Sequence, residues 1–205
     1  VGMVGMHGNY GPNVLTNECD LLIAVGMRFD DRVTGNLNSY AKQAKIIHFE
    51  IDPAEVNKNV IADVAVLGNV KNTLNDILKF LNKKNHKDWI AKFGEFYEIE
   101  FDKVIDKEYN KKSGGLSMAE VIKSINDNTN GESILVTDVG QHQMVACRYT
   151  KFNQSKSNIT SGGLGTMGFA LPAAFGAKIG DPEREVIAVI GAVSYTHLRA
   201  HETIL

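Results

Sequence analysis

The chain has 205 residues, a formal net charge of −2 and 43% hydrophobic residues, enough to bury a substantial core in one or two domains. That balance excludes a general pull toward nucleic acid or anionic membranes, and two cysteines, Cys19 and Cys147, are too few for a disulfide framework. No apolar run reaches the roughly 20 residues of a spanning helix, so the expectation is a soluble, cytoplasmic protein.

The chain opens on the Gly-rich "VGMVGMHGNYG", with no charged-then-apolar leader, and reads as the interior of a larger protein. "CDLLIAVGMRFDDR" (19–32) carries an apolar strand, Leu21–Val25, that stops at Gly26 and runs into charge. "AKIIHFEIDP" (44–53) repeats the plan and ends at Asp52-Pro53; "ADVAVLGN" (62–69) is a shorter third strand. Strands apolar on both faces predict a parallel sheet covered by helices. Next, Val70, Leu74, Ile77, Leu78 and Leu81 form a helical stripe, read as core packing.

In open α/β sheets, ligands sit beyond the strand C-termini. There Gly26 lets a ligand approach the backbone, Arg28 and Arg32 can meet phosphate, and Glu50 can accept from ribose hydroxyls. A solvated loop of local ion pairs among Arg28, Asp30, Asp31 and Arg32 accounts for the same residues equally well. Residue chemistry alone does not choose between them.

Residues 82–112 mix Lys, Asn and Glu with Trp89 and the spaced aromatics Phe93, Phe96 and Phe101. They predict a linker carrying an amphipathic helix, its aromatics packing rather than forming a nucleic-acid platform, since no basic groove pattern accompanies them. A new start follows Gly114-Gly115. Ser117 with Glu120 makes a capping box, and Leu116 with Val121 fits a hydrophobic staple.

"SILVTDVGQHQM" (133–144) is a buried strand running through Asp138 and Val139-Gly140 into a helix. Such a junction offers free N–H groups and the positive end of a helix dipole, which suits a phosphate. Gln141 and His142 add donors there, although a lone His at a helix start is commonly unremarkable. "SGGLGTMGFALPAAFGAKIG" (161–180) contains a formal G-x-G-x-x-G at Gly163, Gly165 and Gly168. It lacks the solid preceding strand and the ribose-binding acid of a dinucleotide fingerprint, so the NAD reading is set aside. Its small residues still imply close approach of a ligand or backbone, with Met167 as a polarizable wedge against a ring or as plain core. Val186–Ile190 reads as a last, fully buried strand.

Taken together, "MHG", "AVGMRFDDRVTGN", "KIIHFEIDPAE", "TDVGQHQM" and "SGGLGTMGFALPAAFGAK", in that order, resemble the catalytic large subunit of the acetolactate synthase (acetohydroxyacid synthase) family over residues 1 to about 191. The resemblance implies an α/β protein of parallel sheets flanked by helices, with parts of two domains of a three-domain thiamine-diphosphate enzyme. Residues 1–81 would be the C-terminal part of the central, FAD-associated domain, 82–112 the linker, and 113–192 the start of the thiamine-diphosphate domain. The implied activity joins two pyruvates, or pyruvate and 2-ketobutyrate, with loss of CO2, in branched-chain amino acid biosynthesis. The implied cofactors are thiamine diphosphate, Mg²⁺ and FAD. The implied partners are small 2-keto acids, further copies in a homodimer or tetramer, and a regulatory small subunit; neither nucleic acid nor membrane is implied.

By the same resemblance, Val139, Gly140, Gln141 and His142 match the diphosphate-side loop, and Gly165 and Met167 the aminopyrimidine ring positions. His7, Gly8, Gly26, Arg28, Asp30, Arg32, Glu50 and Ile51 match the FAD surface, and Asp31 and Arg32 lie near where substrates and inhibitors approach. No catalytic residue of the family falls within the chain. The family continues Gly-Asp-Gly after "VIAVIG", supplying a Mg²⁺ ligand, whereas here Ala192 follows Gly191. Its activating glutamate belongs to a domain outside the chain, so the chain alone is expected to be inactive.

"VSYTHLRAHETIL" (193–205) resembles translated adapter sequence and is expected to be non-native. His197 and His201 with Glu202 could hold a metal only with a third ligand pattern that is missing. Two rivals remain: another thiamine-diphosphate enzyme, such as glyoxylate carboligase or pyruvate oxidase, or a flavin-binding module without catalysis.

Overall fold

A computed structural model describes residues 1–111 and 114–199. They form two compact units, Val1–Asp102 and Lys103–Leu205, and each is α/β with a three-stranded, all-parallel sheet.

In the first unit, helix α1 (Tyr10–Thr16) leads to strand β1 (Leu21–Val25), the single turn α2 (Asp31–Thr34), β2 (Lys45–Glu50), β3 (Val64–Leu67) and helix α3 (Val70–Leu78). The sheet order is β1-β2-β3, with Val25 opposite Phe49 and Phe49 opposite Val66. The three apolar runs thus become the expected strands. Coverage is one-sided: Ala24, Phe29, Tyr40, Ala41 and Ile46 form a core, while Leu21, Ile23 and Val25 stay exposed. A strand alternates its side chains, so one covered face buries only every second residue. The helical stripe on α3 also differs from expectation. Leu74 and Ile77 are half-buried, but Val70, Leu78 and Leu81 are exposed.

The amphipathic helix of the 82–112 segment is α4 (Lys87–Glu100), continued by one π-turn through Ile105. Helix α4 lies along α1, where Phe96 meets Tyr10 edge-on at 5.3 Å and the buried Glu100 carboxylate accepts the Tyr10 N–H at 3.0 Å. Trp89 packs edge-on against Phe93 at 6.2 Å. These aromatics are packing groups.

The second unit runs α5 (Asp106–Tyr109), α6 (Met118–Thr129), β4 (Ile134–Thr137), α7 (Gln141–Tyr149), β5 (Asn158–Thr160), α8 (Ala170–Gly180), β6 (Val186–Val189) and α9 (Ala192–Arg199). The order β5-β4-β6 makes β4 the central strand, and all four of its residues are buried. Val186–Val189 is an edge strand and only half-buried, not fully buried as its composition predicts, because one neighbour rather than two covers it. Arg184, just before β6, gathers the strand starts: its guanidinium donates to the Glu132, Ser133 and Ser155 carbonyls and to Ser157 Oγ.

Helix α6 begins with the predicted capping box: Ser117 Oγ accepts the Glu120 N–H at 3.1 Å, and the Glu120 carboxylate accepts the Ser117 N–H at 2.6 Å. The staple does not form, since Leu116 and Val121 are both exposed. Hydrogen bonds from the Ser117 backbone and then its side chain hold the Glu120 carboxyl below its usual range. A carboxyl lowered on folding stabilises fully above its unfolded pKa, about 4.3, and that stabilisation is lost as pH falls through the lower folded value. The stability difference between the native protein and Glu120→Gln should therefore shrink on acidification below that range. Urea titrations at pH 7 and pH 3 check this; a difference independent of pH would contradict it.

Among the described residues no helix is long and apolar enough to cross a membrane.

Candidate functional site

In the second unit the C-terminal ends of β4, β5 and β6 form one edge. Thr137 lies opposite both Thr160 and Val189, and the Asp138 N–H donates to the Val189 carbonyl at 3.2 Å. From this edge the chain turns at Val139-Gly140 into α7. That helix has no side-chain cap at its start, so no capping side chain takes up its first N–H groups or the positive end of its dipole. Gln141 is exposed and His142 half-buried, while Gln143 turns inward and its Nε2 donates to Thr160 Oγ1 at 2.7 Å.

The His142 ring occupies a slot between two glycines. A Cβ on Gly140 would come within 2.9 Å of the ring, and one on Gly191 within 2.8 Å. His142 Nε2 is buried without a hydrogen-bond partner, a donor or acceptor left for something else at this edge.

The loop after β5 is tied by the Gly165 N–H to the Ser161 carbonyl at 2.9 Å and by the Thr166 N–H to Ser161 Oγ at 3.0 Å. Gly165 has φ +65°, a conformation that glycine adopts without strain and that turns the loop back. Met167 is 38% exposed and lies outside the clusters around Ala24 and around Ile134. The described residues therefore bring Val139, Gly140, Gln141 and His142 to one strand edge, with Gly165 and Met167 on the loop that leaves its neighbouring strand.

In the first unit, β1 and β2 end side by side at Gly26 and Glu50, the Gly26 N–H donating to the Phe49 carbonyl at 2.8 Å. Gly26 has φ +60° and open space where a Cβ would lie. Glu50 Oε1 accepts from the Ile51 and Asp52 N–H groups at 2.8 and 3.3 Å, and its Oε2 lies 3.6 Å from Nε2 of the buried His48. Buried Phe29, at φ +52°, stands edge-on to His48 at 5.1 Å; this is an uncommon conformation for a large side chain, concentrated here beside a candidate site.

Arg28 pairs with Asp30 at 3.3 Å, and Arg32 with Asp31 at 3.6 Å with both side chains largely in solvent. The local ion pairs expected of a solvated loop are thus present; exposed pairs of this kind contribute about 0–1 kcal/mol, so they leave the arginines available. Ile51 is exposed.

His7 and Gly8 lie on the loop before α1. Hydrogen bonds tie this loop to Arg32, Asn9 and Asn13: the Met6 N–H donates to the Arg32 carbonyl at 2.7 Å, and the Gly5 N–H to Asn13 Oδ1 at 2.8 Å. This closes a cleft of about 280 Å³ lined by Met6, Asp31, Arg32, Thr34 and Tyr40, among others. Burial pushes the Tyr40 hydroxyl pKa up, so it stays a neutral donor.

Met6, Tyr40, Gly191 and Gln143 escape sequence reasoning. Each enters through a contact made far along the chain, and none carries a local signal beyond its type. Among the described residues no group of three or more His, Cys, Asp or Glu could hold a metal ion. His197 lies within α9, while His201 and Glu202 are outside the described residues.

Residues 1–77 match the thiamine pyrophosphate enzyme central domain, and residues 138–204 the thiamine pyrophosphate enzyme C-terminal TPP binding domain. The chain is 40% identical over 195 residues to the acetolactate synthase large subunit of Buchnera aphidicola subsp. Schizaphis graminum, covering 93% of this chain and 33% of that protein. It is 43% identical over 199 residues to the probable acetolactate synthase large subunit of Methanocaldococcus jannaschii, with the same coverage. To the acetolactate synthase large subunit of Parasynechococcus marenigrum it is 43% identical over 194 residues, covering 95% of this chain and 31% of that protein. The chain thus spans about a third of the length of the curated relatives it matches.

Proposed function

We propose, for a chain that belongs to the thiamine pyrophosphate enzymes through parts of their central and TPP-binding domains, that the full-length protein is an acetolactate synthase large subunit. It would condense two pyruvates, or pyruvate with 2-ketobutyrate, releasing CO2, as a step toward branched-chain amino acids. The observation that carries this reading is the β4–α7 edge, where an uncapped helix start, His142 in its glycine slot and the Gly165–Met167 loop adjoin.

The residues present fit thiamine diphosphate. The first N–H groups of α7 with Gln141 and His142 would receive the diphosphate, because oriented N–H donors at a helix start suit an anion. Gly165 would let the loop approach the aminopyrimidine closely, with Met167 supplying an adaptable apolar support. When bound, the cofactor supplies the electron sink for decarboxylation, and the protein supplies binding, orientation and electrostatics. His142 Nε2 would hold a proton against the anion, and Val139 would exclude water from the turn.

Among the described residues Mg²⁺ finds no such fit: Ala192 follows Gly191, and no cluster of candidate ligands exists there.

FAD would lie along the β1–β2 edge, with Gly26 giving backbone access, Arg28 and Arg32 facing phosphate, and Glu50 Oε2 facing hydroxyls; Ile51, Asp30 and the His7-Gly8 loop would border it. Substrate would approach past Asp31 and Arg32, where the cleft beside Met6 and Tyr40 leaves room for a small 2-keto acid. The free thiols Cys19 and Cys147, both with pKa pushed up by burial, suit a reducing compartment such as the cytoplasm. The relatives' designation as large subunits supports a second, smaller chain and an oligomeric assembly. Residues 193–205 are proposed to add nothing to binding.

The purified full-length protein should form acetolactate from pyruvate, lose at least a hundredfold of that activity when stripped of thiamine diphosphate, and regain it on readdition. Retained flavin absorbance tests the FAD site separately. A full-length protein that binds the cofactors yet turns over no pyruvate would overturn the reading.

A further inference from the structure

We propose that Asp138 is a positioning residue that sets the spacing between the two loops of the thiamine-diphosphate edge; the inference rests on the functional reading above. Asp138 directly follows β4 and is completely buried. Its N–H is bonded to β6, and its Oδ1 accepts the N–H of Ala170, the first residue of α8, at 2.9 Å.

Helix α8 has no cap of its own. Phe169 precedes it in helical conformation with no side-chain hydrogen bond, and the chain reaches it through Gly168 at φ +84°. A helix start gathers unpaired N–H groups and partial positive charge. Here both are met by a carboxylate delivered from the end of a central strand 32 residues earlier. The Val139–His142 turn begins immediately after Asp138, and the Ser161–Phe169 loop ends immediately before Ala170. One hydrogen bond therefore cross-ties the loop proposed to receive the diphosphate to the loop proposed to hold the ring.

The second oxygen, Oδ2, is buried without a hydrogen-bond partner among the described residues. Capping alone would not call for this arrangement, because a polar side chain from the loop just before the helix could cap it locally without burying a charge. What a local cap would not provide is the tie to β4. A displacement of about 1 Å in a cofactor-positioning group is enough to impair an active site, so the tie acts on the cofactor through the loops.

The test uses the full-length protein and two readouts: thiamine diphosphate affinity by fluorescence quenching, and amide hydrogen exchange over residues 163–173 in the cofactor-free protein. Asp138→Ala should weaken affinity at least tenfold and speed exchange in that segment at least tenfold, with exchange in β1–β3 unchanged. Asp138→Asn keeps an acceptor oxygen and should restore both to within about threefold of the native protein.

An Asp138→Ala protein within twofold of native in both readouts would overturn the proposal. So would exchange accelerated evenly across residues 114–199, which would make Asp138 a packing residue only. If the native protein binds no thiamine diphosphate, the functional reading fails, whereas the exchange readout still decides whether Asp138 ties the loops.

Discussion

Leu135→Ala should lower the unfolding free energy of the second unit by about 2–5 kcal/mol, the range for truncating a buried leucine where the cavity does not collapse. Leu135 is 1% exposed at the middle of the sheet, between Asn158 of β5 and Ile187 of β6. Its N–H donates to the Ser157 carbonyl at 2.7 Å, so the backbone has little freedom to move into the space left behind. A domain typically has only about 5–15 kcal/mol to lose. Strand β4 also carries the Asp138–His142 turn, so loosening it reaches the cofactor edge directly. Native-state hydrogen exchange at Ile134 and Val136 in the full-length protein measures the effect. Leu164→Ala is the control: Leu164 is 92% exposed, and the change should stay within about 0.5 kcal/mol. A loss below about 1 kcal/mol at Leu135 would show that β4 is not the structural centre of the unit.

Gly191→Ala is expected to weaken thiamine diphosphate binding about tenfold or more while changing thermal stability little, equivalent to about 1.4 kcal/mol at the site. The added Cβ would lie 2.8 Å from His142 Cε1 and 3.0 Å from Nδ1. No pair of carbons tolerates that separation, so one of the two groups must move. The imidazole must therefore swing out of its slot. Because a side chain gives way more easily than a strand, the penalty falls on the proposed diphosphate donor rather than on the fold. A double-mutant cycle separates the two: in a His142→Ala background the same glycine change should be nearly neutral, giving a coupling of at least about 1 kcal/mol. Full effect in that background would show that Gly191 acts on the strand end and not through His142.

Features local along the chain were legible from the residues alone. Apolar runs bounded by Gly or acidic residues became β1, β2 and β4, and the Ser117–Glu120 spacing became a capping box, because hydrogen bonds and side-chain periodicity within a few residues are set by the residues themselves. The order of the motifs also carried the family, since each loop at a strand end has its own composition. Tertiary structure alone decided what is covered and what meets across long separations. Val70, Leu78 and Leu81 have helical periodicity yet lie exposed, because a stripe states only that a face can be buried, not that a partner covers it. Glu100 capping α1, Asp138 capping α8 and Gly191 enclosing His142 join residues 90, 32 and 49 positions apart. A carboxylate or a glycine has no periodicity that announces such a partner. The packing of α4 on α1 makes the first contact, and the parallel crossovers, which return each strand end to the same edge, make the other two.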